Sequence, residues 1–265
     1  MSHASESIPT SGSSSAAKVT VRMPRLIAFD LDYTLWPLWV DTHVDPPLKR
    51  RGEEINRIYD AHGKSMSFFP DVPSILLRIH REKIHVAACS RTSAPRVARQ
   101  ALDQLLISTI DESSQSESHP SLDPIQSSSS ESDSKKKVET TADPSYDTPQ
   151  LPKPHVRSVE LFDTLEIYPG SKIAHFEALN LKTGIPYHEM LFFDDESRNS
   201  EVQTELGVTF ILVRERDGVT KHAFESGLER WRQRVNSIES DSEGKGTTPS
   251  RKLKDGGKNK KSRRS

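Results

Sequence analysis

The sequence predicts an α/β domain in which a parallel sheet is doubly wound, with helices on both faces. Three observations point there. Short, mainly apolar runs recur at 26–29, 84–89, 190–193 and 208–213, and such runs suit strands covered on both sides. Between them lie segments with apolar residues at helical spacing, the alternation that gives a parallel sheet. The runs also end in polar residues: Asp30 and Asp32, Ser90 and Arg91, Asp194 and Asp195. Right-handed crossovers put every strand's carboxyl end on one rim, so these residues converge.

In chain order, residues 1–22 are rich in serine and read as a disordered lead. The first strand stops at Asp30. The connection 36–69 has turn signals at Pro37, Pro46 and Pro47 and a charged stretch, 49–59, that reads as helical. It is too short for a large cap domain and makes at most a small lid. Asp71 reads as the N-cap of a helix with Pro73 in its first turn and Ile75, Leu76 and Ile79 on its apolar face. The strand at 84–89 leads through Ser90, Arg91 and Thr92 into a helix over 94–106.

Residues 107–156 break the pattern with Ser, Asp, Glu and Pro, four consecutive serines at 127–130 among them. Such a segment buries too little apolar surface to offset its ordering entropy, and reads as a disordered insertion inside one domain. A strand at 164–168 follows, and Ser171 and Lys172 open a helix carrying Ile173, Phe176, Leu179 and Leu181 that Gly184 and Pro186 end. After the strand at 190–193 comes a helix over 197–206 closed by Gly207. The last strand is followed by a helix that Thr220 caps and that runs to about Val235. The domain thus comprises 23–106 and 157–236, with a disordered basic tail over 237–265.

Only 33% of the residues are hydrophobic, so the folded part is confined to those two stretches. Cys89 is the sole cysteine, which rules out an internal disulfide and fits a reducing compartment. No apolar run has signal-peptide or membrane-spanning length. These features predict a soluble, monomeric, cytoplasmic protein that does not engage membranes. The tail from Arg251 holds eight Lys/Arg against Asp255, which leaves the nucleus open as a second location. Without interleaved aromatics it does not read as a nucleic-acid binder.

Asp30 and Asp32 at the end of a buried strand repel one another unless a cation joins them. A hard ion, Mg²⁺, prefers such oxygens, and a phosphate group can complete its shell. The chemistry that follows is phosphoryl transfer. Asp30 attacks phosphorus and Asp32 serves as acid and then base; Mg²⁺ sits on Asp30, Asp195 and the main chain of Asp32. Ser90 offers a hydroxyl and Lys172 a point charge to the phosphate. The separate roles of Asp194 and Asp195 stay open, and Asn199 either orders the site or faces solvent.

Other chemistries fail on spacing. An EF-hand loop starting at Asp30 would have Leu35 and Asp41 where Gly and Glu are required. A cysteine phosphatase would need Arg six positions beyond Cys89, where Pro95 stands; Cys89 reads as a small core residue. There is no Gly-x-x-x-x-Gly-Lys loop, and His43, His62, His85 and His175 lack zinc-ligand spacing.

DLDYT at 30–34, CSRT at 89–92, YPGSK at 168–172 and FFDDESRN at 192–199 resemble the four motifs of the haloacid dehalogenase (HAD) superfamily. The longer FDLDYTLWPLWVDTHVDPP at 29–47 resembles the magnesium-dependent phosphatase-1 family, over about residues 24–106 and 157–230. That resemblance implies a Rossmann-like HAD fold without a large cap. It implies Asp30 as nucleophile, Asp32 as acid/base, Ser90 and Lys172 on the phosphate and Arg91 facing the substrate. Mg²⁺ would be held by Asp30, Asp32 and Asp195, with Asp194 as the alternative. Aspartate at position 32, where dehalogenases have tyrosine, implies phosphate chemistry. The implied substrates are phosphotyrosine, in a phosphoprotein or smaller molecule, and sugar phosphates or phosphorylated glycated amines. The competing reading is a regulatory or scaffold protein on the same fold, with the insertion and tail as its working parts.

Overall fold

The computed structural model describes residues 22–110 and 154–243. Its centre is a five-stranded parallel sheet of β1 (Leu26–Phe29), β4 (His85–Ser90), β7 (Thr164–Ile167), β8 (Met190–Asp194) and β9 (Thr209–Leu212), in the order β7-β4-β1-β8-β9. From β1 the chain moves outward through β4 to β7, then returns across the sheet to β8 and β9. The order therefore reverses at β1, and the crevice of a doubly wound sheet opens at that strand's carboxyl end.

Both faces of β1 are covered, which is why its sequence is apolar without alternation. Ile27 and Phe29 face a core built with Ile75, Leu76 and Ile79 of α1 (Val72–Arg81), Ala98, Ala101 and Leu102 of α2 (Pro95–Gln104), and Phe224, Leu228 and Trp231 of α4 (Lys221–Glu243). Leu26 and Ala28 face the opposite cluster, with Phe176 and Leu179 of α3 (Lys172–Thr183) and Val202. Gly227 lets α4 lie close on the sheet, since a Cβ there would stand 2.8 Å from Phe193. Ser171 caps α3, its Oγ accepting the Ala174 N–H at 3.2 Å, and left-handed Gly184 (φ 66°) ends it, as expected.

Several expectations are corrected. Residues 49–59 are not helical: Gly52 and Asn56 take left-handed backbone (φ 57° and 51°), and the main chains of Lys49 and Tyr59 pair. A small ribbon of β2 (Ile58–Tyr59) and β3 (Ser65–Met66) forms instead. Nor is 36–69 a lid, because Trp36, Val40, Leu48, Ile58, Met66 and Phe68 are buried in the main core. The helix expected to 106 stops at Gln104. Beyond it β5 (Leu106–Ser108) pairs antiparallel with β6 (His155–Arg157), so both edges of the expected insertion are ordered strand. The last helix also outruns its expected end near Val235: α4 continues to Glu243, so 237–243 are helix where a disordered tail was expected. Residues 111–153 lie outside the described residues, as do most of the lead and the rest of the tail.

The expected helix at 197–206 is a 3₁₀ turn, Ser197–Ser200, followed by a π turn, Val202–Leu206. Asp71 stands at the N-cap of α1, as expected, but its side chain accepts no hydrogen bond from that helix. Its Oδ2 accepts the Lys221 N–H at 2.8 Å, at the start of α4, where the Thr220 hydroxyl also accepts from Ala223 at 3.1 Å. No described helix is long and apolar enough to cross a membrane.

Candidate active site

β1 delivers Asp30 to the crevice, its N–H held by the Phe193 carbonyl at 2.9 Å. Beyond it the chain folds back on the Leu31 carbonyl, with Tyr33 in left-handed backbone (φ 54°). That turn brings Trp36 and Val40 beneath Asp32, whose Oδ1 accepts the indole N–H at 2.7 Å and the Val40 N–H at 3.3 Å. The long first motif thus has a physical reason. Its tryptophan and valine hold Asp32 in a fixed, nearly buried position. Burial pushes the Asp32 carboxyl up to about 6 against those two hydrogen bonds.

At the end of β4, Ser90 is buried and its Oγ accepts the Thr92 N–H at 3.3 Å, leaving its own proton free to be donated. Arg91 is part-exposed, its Nη1 donating to Asn199 Oδ1 at 3.3 Å. Asp41 ties this loop down, its Oδ2 accepting from the Ser93 hydroxyl at 2.8 Å and the Ser93 N–H at 3.2 Å.

Lys172 is only 1% exposed, so it is no surface lysine. Its Nζ stands 2.5 Å from Asp30 Oδ1 and 3.1 Å from Asp194 Oδ2, and also donates to the Cys89 carbonyl. All three ammonium protons therefore have acceptors. The side chain lies behind Asp30 and forms no part of the cleft wall. Burial raises the Cys89 thiol far above the usual range, which leaves it an inert core residue.

The two adjacent aspartates at the end of β8 separate cleanly. Asp194 is fully buried, pairing with Lys172 and accepting from the Glu196 N–H at 2.7 Å and Asn199 Nδ2 at 2.9 Å. Asp195 faces the cleft, its Oδ1 accepting from the Thr34 hydroxyl at 3.3 Å. Burial and the charge of Asp194 push its carboxyl up to about 7. Asp30 is raised too, by burial and by Asp194 and Asp32, against the pull of Lys172.

The cleft has a volume of about 350 Å³. Of the predicted residues it brings together Asp30, Asp32, Ser90, Arg91 and Asp195; Lys172 and Asp194 stand behind them. Sequence reasoning missed Trp39, Asp41, Thr92, Glu196 and Arg198 on its walls. All five sit within the motif stretches, and that adjacency was the only available signal. Trp39 is 48% exposed at the rim, stacked on His43 at 5.4 Å between centroids.

No group of three or more His, Cys, Asp or Glu side chains among the described residues forms a ready-made metal cage. The cleft offers hard oxygens that could hold a metal ion, the carboxylates of Asp30, Asp32 and Asp195. Three acids with raised pKa line the cleft, and the one nearby ammonium is already committed, so negative charge is left short of a partner. Such a set fits a hard divalent ion that keeps several of its waters.

The family described as Acid Phosphatase matches residues 22–234. A HAD-like hydrolase superfamily protein of Schizosaccharomyces pombe is 35% identical over 191 residues, 72% of this chain and 86% of that protein. Magnesium-dependent phosphatase 1 of Homo sapiens is 35% identical over 214 residues, 78% of this chain and 87% of its own. A putative magnesium-dependent phosphatase of Saccharomyces cerevisiae is 27% identical over 199 residues, 72% and 88% of the two chains.

Proposed function

This chain belongs to the acid phosphatase family and to the magnesium-dependent phosphatase-1 group of the HAD superfamily, and from that premise we propose its reaction. It is a Mg²⁺-dependent phosphomonoesterase that works through an aspartyl-phosphate on Asp30. The observation that carries this reading is the placement of Asp30. It stands at the sheet's switch point, 2.5 Å from a buried ammonium, with Asp32 fixed two residues on and Asp195 in the same cleft.

Asp30 Oδ1 is occupied by Lys172, which leaves Oδ2 to attack phosphorus. The bond to the leaving oxygen breaks as the Asp32 carboxyl gives that oxygen its proton. A carboxyl near pH 6 is protonated often enough to do so and ionised often enough to reverse the role. Asp32 then takes a proton from the water that attacks the phosphoryl group, freeing phosphate and restoring Asp30. Ser90 donates its hydroxyl to a phosphate oxygen and Arg91, next along the same loop, offers its guanidinium. Lys172 acts from behind, its single positive charge shared between Asp30 and Asp194. Mg²⁺, held by Asp30, Asp195 and the Asp32 carbonyl, would neutralise charge on the transferring phosphoryl group.

The cleft mouth carries no cap among the described residues. That supports substrates of the phosphotyrosine and sugar-phosphate type alike, whether small or part of an extended chain. Turnover of p-nitrophenyl phosphate that requires Mg²⁺ and stops with EDTA is the expected result. A folded chain with no turnover at any Mg²⁺ concentration overturns the reading in favour of a scaffold.

A further inference from the structure

We propose that Asn199 is a positioning residue that aims Arg91 at the substrate phosphate, carrying the fixed position of the Lys172–Asp194 pair out to the cleft wall. The proposal rests on the phosphomonoesterase reading above. Asn199 is 1% exposed although Glu196 and Arg198 beside it reach solvent. A buried carboxamide must satisfy both of its ends. Nδ2 donates to Asp194 Oδ2 at 2.9 Å and to Glu196 Oε2 at 3.2 Å, while Oδ1 accepts from Arg91 Nη1 at 3.3 Å. The reversed amide would set its NH₂ against the guanidinium and its oxygen against a carboxylate, so the surroundings fix one orientation.

The same Asp194 oxygen lies 3.1 Å from Lys172 Nζ, and that ammonium holds Asp30. A continuous chain of contacts thus runs from the nucleophile through Lys172, Asp194 and Asn199 to Arg91. Arg91 depends on it. Its carboxylate neighbour, Glu196, stands 4.0 Å away and is engaged by Arg198 at 2.9 and 2.6 Å. Pinned by Asn199, the guanidinium presents its remaining donors in a preset plane; released, it must lose rotamer freedom each time phosphate binds.

The test is a double-mutant cycle on the full chain with Mg²⁺, using p-nitrophenyl phosphate as substrate and inorganic phosphate as competitive inhibitor. Asn199→Ala should raise KM and the phosphate inhibition constant by about tenfold, with a smaller change in kcat. Added to Arg91→Ala, it should cost little more than Arg91→Ala alone. Asn199→Ser, which keeps a small polar group, is measured in parallel, so that a folding failure of the alanine variant still leaves a readable cycle. Losses that multiply in the double variant, or a KM unmoved by either substitution at Asn199, overturn the proposal. A wild type that hydrolyses no phosphate ester overturns the phosphatase reading, and this inference with it; turnover with multiplicative losses overturns the inference alone.

Discussion

Replacing Lys172 by methionine keeps the unbranched apolar stem and removes the charge. The ammonium stands 2.5 Å from one buried carboxylate and 3.1 Å from another. At an effective dielectric of about 20, a unit pair about 3 Å apart attracts by roughly 5 kcal/mol, and desolvation takes back much of it. The variant is left with two buried carboxylates and no counter-charge, and breaking a buried pair from one side costs about 3–5 kcal/mol. Lys172→Met should therefore lose about that much stability in urea unfolding at neutral pH, with EDTA present so that no added cation substitutes for the ammonium. The double variant Lys172→Met/Asp194→Asn removes one stranded charge as well, and should be less destabilised than the sum of its parts. A single variant within about 1 kcal/mol of wild type, or a strictly additive double, refutes the reasoning.

Three further outcomes follow from the geometry. Burial and the nearby Lys172 hold the His175 imidazole down at about 4, with its Nε2 on the Tyr168 carbonyl at 3.1 Å. A base whose folded pKa lies below its unfolded value of about 6.5 binds fewer protons folded than unfolded between the two. Stability is thus lost as pH falls through that window, by at most about 3 kcal/mol. His175→Gln should flatten this loss in urea titrations, and parallel curves for the two proteins contradict the assignment. The Thr109 N–H meets the Pro154 carbonyl at 3.0 Å, so the ends flanking 111–153 already lie together. Joining Ile110 to Pro154 by a short flexible linker should leave p-nitrophenyl phosphate turnover within several-fold; a folded deletion variant without turnover contradicts that. Asp32→Asn should cost about 10²–10⁴-fold in phosphorylation by esters with poor leaving groups and less with p-nitrophenyl phosphate. Equal losses across a leaving-group series would remove Asp32 as the acid.

The sheet was legible because its strands are buried on both faces, and a continuous apolar run such as 26–29 leaves little choice of element. Helices α1, α2 and α3 were legible from apolar spacing, their ends less so. The stretch 49–59 misled because its charge pattern suits a helix, while its fate is set by left-handed Gly52 and Asn56 and by pairing between Lys49 and Tyr59. At 107 and 156, strand pairing joins residues far apart in sequence, which no local pattern reports. In the site, each aspartate was visible as a strand end. The difference between Asp194 and Asp195 was not, since it depends on the direction of successive side chains and on Lys172 arriving from another element. Asn199 was left open for the same reason, because its partner Arg91 comes from the loop after β4, 108 residues away.

The central claim is that Asp30 becomes phosphorylated. Acid-quenched reactions with a ³²P-labelled phosphate ester, followed by proteolysis and mapping of the label, test it directly. Asp32→Asn slows hydrolysis of the intermediate as well as its formation, so the trapping should include it alongside wild type and Asp30→Asn. The expected result is a base-labile acyl phosphate on the peptide containing Asp30 in wild type and Asp32→Asn, and none in Asp30→Asn. Label that persists in Asp30→Asn, or that maps to Ser90, would contradict the account.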